Sequence, residues 1–355
     1  MKITKILLTA TAVAFFLLLS VSAQTAYNTA KDTLRFPQEK HLKNIQMLTQ
    51  NGENAEAYLS FDEKKLIFQT NRGKLPCDQI FTMNIDGSDK KMVSTGFGKT
   101  TCSYFLPGDT AIVYASTHMG DKNCPAPPDM SRGYVWELYK TFDIFLAKPD
   151  GSNIKRLTDT DGYDAEATVS PVGDKIIFTS LRDGDPELYT MNLDGTNQKR
   201  ITFEKGYDGG AFFSQDGKKI VFRASRPVTK KEKEDYQDLV LNGYVRPTAL
   251  EIYTMNADGT GMKKLTNFGK ASFAPFFFPD GKRIIFASNI NSKSGRTFDL
   301  YMINSDGTGL EQITFSDTFD SFPIFTKDGK YLIFASNRFG KHQHDTNIFI
   351  ADWVE

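Results

Sequence analysis

A chain of 355 residues is long enough for two or three average domains or for one large all-β domain. Lys plus Arg and Asp plus Glu stand at 43 each, or 41 against 43 once Lys2 and Lys5 of the N-terminal segment are set aside, which excludes the strong basic excess that a nucleic-acid binder needs to displace counterions from phosphates. With 40% hydrophobic residues, 29 Phe and 14 Tyr, disorder is excluded as well, and the aromatic and Gly content points to strands and turns.

Residues 1–23 read as a signal peptide, because Lys2 and Lys5 precede an apolar stretch from Ile6 to Leu19 and then the small-residue site Val21-Ser22-Ala23. The stretch falls short of the roughly 20 apolar residues that cross a bilayer, and no stop-transfer charges follow it. The mature chain is therefore expected to begin at Gln24, in a periplasm or outside the cell, without a transmembrane anchor. Residues 24–40 form an N-terminal extension. His41 to Thr49 then reads as a strand, ending Met47-Leu48-Thr49.

From here the sequence repeats itself. A β-branched run ending in an aromatic recurs six times, beginning at Leu66, Ile112, Ile176, Ile220, Ile284 and Leu332, at spacings of 46, 64, 44, 64 and 48 residues. Each run reads as a buried strand. The first five are followed by a further strand that ends in Asp-Gly, at Asp86, Asp150, Asp194, Asp258 and Asp306. Asp-Gly favours a tight hairpin because Gly accepts positive φ. A unit of about 44 residues with four short strands has the size of a propeller blade. The two longer spacings carry insertions at 117–142 and 226–249. The last unit stops at Asn347 to Trp353, which matches a third strand, while His41 to Thr49 matches the fourth-strand endings Arg200-Ile201-Thr202 and Lys264-Leu265-Thr266. The expected fold is all-β: one six-bladed β-propeller over 41–355, closed by an N-terminal strand that completes the last blade.

Phe278-Pro279-Asp280-Gly281-Lys282-Arg283-Ile284-Ile285-Phe286-Ala287-Ser288-Asn289, followed by Leu300-Tyr301-Met302-Ile303-Asn304-Ser305-Asp306-Gly307-Thr308, resembles the TolB-like β-propeller repeat of secreted bacterial proteins. The resemblance covers nearly all of the mature chain. It implies binding platforms, accessory domains of peptidases or, in some cases, lyases. The roughly 17 residues between Ala23 and His41 leave no room for the α/β domain that precedes the propeller of TolB itself.

With strands lettered a to d from the axis outwards, both insertions are b-to-c loops and rise from one face. The first carries Tyr134 and Trp136. The second opens on a charged run from Lys230, reads as a short helix with its charges outward, and reaches Tyr244. These aromatics are the expected contact surface for a ligand. Aligning the repeats places Asn54, Thr100, Asp164, Asp208, Ser272 and Asp320 at the start of strand a. Two residues on stand Glu56, Cys102, Glu166, Gly210, Ala274 and Phe322. Arg182, Arg226 and Arg338, with His118 in the same column, follow strand b. Two readings stand for these charges: ion pairs that tie neighbouring blades, or an acidic mouth in which Asp164, Glu166, Asp208 and Asp320 select a cation, a sugar or a cationic peptide. Asp159, Asp161 and Asp164 lie in an acidic loop that could suit Ca²⁺, although its spacing is not that of an EF-hand. His342 and His344 could chelate a transition metal. Of the three cysteines, Cys102 with Cys124 is the expected disulfide, with Cys77 to Cys102 as the alternative.

The expected function is that of an exported, monomeric, non-catalytic propeller with no cofactor, binding a protein, peptide or glycan on the face that bears the insertions. The alternative is a hydrolase or polysaccharide lyase with an acidic, metal-assisted mouth, for which His118 is the one histidine placed near the channel. No Gly-x-Ser-x-Gly elbow or His-Glu-x-x-His helix occurs in the sequence.

Overall fold

The six apolar runs are the second strands of six sheets, and their central residues are at most 1% exposed. Strands covered on both faces read as unbroken apolar runs, and here each sheet is covered by its two neighbours. A computed structural model describes residues 32–342 and 345–355; the signal-type segment 1–23 and His344 lie outside these described residues. Each sheet has four antiparallel strands in the order a-b-c-d. Blade 1 comprises Glu53–Leu59, Lys65–Asn71, Gln79–Asn84 and Lys91–Met92, and its outermost strand is only two residues long. No helix among the described residues is long and apolar enough to cross a membrane.

Blade 6 is built from both ends of the chain. Strands Asp320–Phe325, Tyr331–Ser336 and Asn347–Trp353 take Leu42–Met47 as their fourth member, with Leu42 opposite Trp353 and Met47 opposite Phe349. The His41 ring stacks on Trp353 at 4.9 Å. The Asp-Gly hairpins seat each blade on the one before it. Gly87 has φ 82°, and a Cβ there would lie 2.7 Å from the Leu48 carbonyl oxygen; at Gly151 the same construction meets the Val93 oxygen at 2.5 Å. Leu48 directly follows the N-terminal strand, so this hairpin also braces the closure of the ring.

Every strand a carries a bulge at the same place, between Ala55 and Tyr58 in blade 1 and at the matching steps of the other five. The residue inside it is left-handed in all six: Glu56, Cys102, Glu166, Gly210, Ala274 and Phe322 have φ between 49° and 59°. A bulge re-aims a side chain, and here all six line one hollow on the axis. Two residues further on, Tyr58, Tyr104, Phe212 and Phe276 plug the channel, with ring centroids 5.2 to 5.5 Å apart from one neighbour to the next.

The insertions leave blades 2 and 4 and meet. Trp136–Glu137 and Tyr244–Val245 form a two-stranded antiparallel ribbon, with Tyr244 opposite Glu137 and Val245 opposite Trp136. Helix α1, Lys230–Leu241, starts with a capping box between Thr229 and Glu232 and buries Tyr236, Leu239 and Val240. Arg246, held by Asp235 of its own insertion, ties the two insertions further by donating to the Arg132 carbonyl at 2.9 Å.

Candidate functional site

The charges at the start of strand a are used up inside the blades. The Arg182 Nη2 donates to both oxygens of Asp164 at 3.0 and 3.1 Å, Arg226 lies 2.7 Å from Asp208, and Arg338 lies 2.9 Å from Asp320. All three carboxylates are at most 1% exposed. Each pair joins two residues of one blade, because the residue two past the end of strand b comes back over the first residue of strand a. The ties are therefore within blades and do not link neighbours. Burial pushes the Asp208 carboxyl up against the opposing pull of Arg226. In blade 6 Arg338 also forms a bidentate pair with Glu39, at 2.8 and 3.0 Å, which fastens the N-terminal extension.

The other proposed ligand groups are likewise dispersed. Asp159 and Asp161 are exposed, whereas Asp164 turns inward to Arg182 and Thr160. His118 lies 4.3 Å from the Phe145 ring and bonds through Nδ1 to Ser116 Oγ at 2.7 Å, and burial lowers its pKa. Among the described residues no three His, Cys, Asp or Glu side chains form a group that could hold a metal ion.

What the fold does assemble is a cavity of about 670 Å³ between the insertion ribbon and the channel mouth. One wall, from blades 1 and 2, is polar and includes Glu53, Glu56, Gln69, Asp78, Lys99 and Thr101. A second wall, from blades 5 and 6, is aromatic: Phe273, Phe298, Phe319 and Phe322, with centroids 5.1 to 6.3 Å apart. Trp136 forms part of the roof. It sits edge-on to Tyr207 and Phe273 at 6.3 Å, and the Arg223 guanidinium lies 5.0 Å from its ring. Tyr134 lines the rim and accepts a hydrogen bond from Trp136 Nε1 at 3.2 Å. Tyr244 holds the ribbon together but does not line the cavity.

At the throat the charges are treated unequally. Glu166 accepts from Thr179 Oγ1 at 2.8 Å, Tyr207 OH at 2.8 and 2.9 Å, the Gly210 amide at 2.8 Å and Arg223 Nη2 at 2.6 Å. Asp78 pairs with Lys99. Glu56, also lining the cavity, has no ion-pair partner among the described residues. Burial raises its pKa to about 7, opposed first by the hydrogen bond of the Cys102 thiol. Glu137 in the roof is raised too, again by burial.

The disulfide is Cys77–Cys124, with a Cα separation of 5.8 Å, and Cys102 is free. The expected Cys102–Cys124 bridge fails because the bulge turns Cys102 to the axis, where Thr101 and Glu56 face it. Cys77 lies in the b-to-c loop beside Asp78, so the bridge moors the first insertion to blade 1 on the polar side of the cavity.

Several cavity residues escape a reading of the aligned columns at strand a and after strand b. The column one residue earlier, Glu53, Lys99, Tyr163, Tyr207, Ala271 and Phe319, lines the cavity in all six blades. Its change from charged to aromatic around the ring is a signal that was present in the alignment. Arg223 stands alone as a cation in its column of strand b, where the other blades have Gln69, Ala115, Thr179, Ala287 and Ala335.

Residues 125–242 match the model of the TolB beta propeller domain. A curated relative, the protein TolB homolog of Chlorobium luteolum, is 37% identical over 51 residues, a stretch covering 14% of this chain and 12% of that protein. Among solved structures, TolB from Acinetobacter baumannii superposes with a TM-score of 0.54 at 18% identity, over 85% of this chain and 63% of that one. Oligogalacturonate lyase from Vibrio parahaemolyticus superposes with a TM-score of 0.50 at 12% identity, over 87% of this chain and 93% of that one. At these identities the superpositions speak to fold alone.

Proposed function

Since the chain is a six-bladed TolB-like β-propeller, we propose that it is an exported binding protein that takes a peptide, protein segment or glycan end into the cavity beneath the paired insertions. The observation that carries this reading is the cavity's construction. A volume of about 670 Å³ lies in the usual range for ligand sites. Its walls are rigid blade ends, and its roof is two long loops stiffened by a ribbon and a disulfide, an arrangement in which function usually resides in the loops. The Cys77–Cys124 bridge supports an oxidising compartment. Fixed walls need little ordering when a ligand enters, which favours affinity.

The test is a thermal-shift screen of the intact protein against peptide and oligosaccharide pools, followed by titration of each hit. Trp136→Ala, which removes the roof contact over Arg223, should weaken a true cavity ligand by at least about tenfold, in line with a buried aromatic anchor. Unchanged affinity in that variant would place the ligand elsewhere.

A further inference from the structure

Resting on the cavity as the ligand site, we infer that the ligand presents an organic cation, an ammonium or guanidinium end held between the Glu56 carboxylate and the aromatic wall of Phe273, Phe298, Phe319 and Phe322. The cavity lining holds two basic side chains, Arg223 and Lys99. Both basic groups are already engaged, Arg223 with Glu166 and Lys99 with Asp78. Glu56 is the throat carboxylate left without a counter-ion, and a ligand cation supplies one. The rings of Phe273, Phe298, Phe319 and Phe322 share the lining with it, and aromatic faces, which carry negative quadrupoles, attract the same charge and cover the apolar stem that carries it. A bare divalent cation fits poorly, because it wants six or more oxygen ligands and finds an aromatic wall on one side. An anionic ligand would add repulsion to a carboxylate whose burial the Cys102 thiol and the Arg223 charge offset only in part.

Protonation of Glu56 must then be linked to binding. Facing it are Glu53 and Asp78 from its own blade, Lys99 and Cys102 from blade 2, Glu166 and Arg223 across the throat, and Glu137 from the roof; Tyr58 lies beneath it. Together they leave it raised to about 7. Below that pH a cation has to displace the proton, so its affinity falls by about tenfold per pH unit, with one proton released.

The experiment is calorimetric titration of the intact protein with n-hexylamine, 1-hexanol and hexanoate at pH 8 and pH 6, in buffers of different ionisation enthalpy. The expected result is saturable binding of the amine at pH 8, at least about tenfold tighter than the alcohol, with no binding of hexanoate. Moving to pH 6 should weaken the amine by about tenfold with proton release, and Glu56→Gln, which keeps the side-chain shape, should remove both the preference and the pH dependence. Nα-acetyl-lysine amide, run in parallel, tells a peptide side chain from a free amine: tighter binding than hexylamine assigns the cation to a peptide. If the alcohol or hexanoate matches the amine, or Glu56→Gln binds the amine unchanged, the cation is overturned while the cavity remains the ligand site. If no compound of the series binds, the cation is overturned, and the cavity reading stands or falls with the peptide and oligosaccharide screen. Unfolding curves of Glu56→Gln separate loss of binding from loss of fold.

Discussion

Glu166 and Glu56 occupy the same position of the repeat, in blades 3 and 1, and both sit in a left-handed bulge aimed at the axis. Their fates differ because of the blade that follows each. Blade 4 offers Glu166 a guanidinium at Arg223, a phenol at Tyr207 and an unobstructed amide at Gly210. Blade 2 offers Glu56 Ala115, Lys99 and Cys102 at the matching places, and Lys99 is already paired with Asp78. One carboxylate is thus part of the wall and the other is a group with unmet demand. The lesson is that in a repeat protein a functional charge is defined by what the neighbouring unit withholds.

The largest expected effect comes from making Glu166 resemble Glu56. Arg223→Ala strips the counter-ion from a carboxylate that is 10% exposed and should destabilise the fold by about 3–5 kcal/mol, read from urea unfolding. A loss below about 1 kcal/mol would mean that the tyrosine, threonine and amide donors suffice alone, and the contrast would dissolve. Next is the roof over Glu56. Replacing both Cys77 and Cys124 by Ser frees the first insertion from blade 1 and should cost about 2–4 kcal/mol, with peptide mapping of the wild type confirming the pairing. Water admitted beside Glu56 should also lower its pKa, flattening the pH dependence described below.

The fold was legible because its signals are local and repeated. Buried runs such as Ile284-Ile285-Phe286 and the Asp-Gly hairpins occur often enough to count blades, and the unfinished unit at Asn347 to Trp353 pointed to its complement at the N-terminus. The site was less legible for one physical reason. Strict alternation puts residues i and i+2 of a strand on the same face, so Asp164 and Glu166 read as one acidic mouth. The bulge between Ala165 and Thr168 parts them, sending Asp164 into its own blade against Arg182 and Glu166 to the axis. Of the six bulge residues only Gly210 hints at positive φ from its identity. The same turn carries Cys102 away from Cys124, which the linear order of the cysteines could not reveal. The ribbon between the insertions is two residues on each side, too short for any period to show.

Glu56→Gln tests the contrast in the opposite direction, because removing an unsatisfied charge should stabilise the protein. A carboxyl raised from 4.5 to about 7 holds more protons folded than unfolded, so stability is lost as pH rises from 4.5 to 7 and stays lost above it. The variant should therefore match the wild type near pH 4 and exceed it at pH 8 by about 1–3 kcal/mol. Equal stability at both pH values would show that Glu56 meets solvent freely.

The smallest change separates the supporting donors from the counter-ion. Thr179→Val keeps the shape of strand b and deletes one hydrogen bond, the 2.8 Å contact from Thr179 Oγ1 to Glu166 Oε2. That oxygen keeps the Gly210 amide and Tyr207 hydroxyl, and the other keeps Arg223, so no buried atom is left bare. The cost should be about 1 kcal/mol in urea unfolding. Combined with Arg223→Ala it should cost more than the two changes added together, since each donor matters more to a carboxylate that has lost its cation. Simple additivity would instead show that Glu166 is held by independent contacts, and that the difference from Glu56 lies in the guanidinium alone.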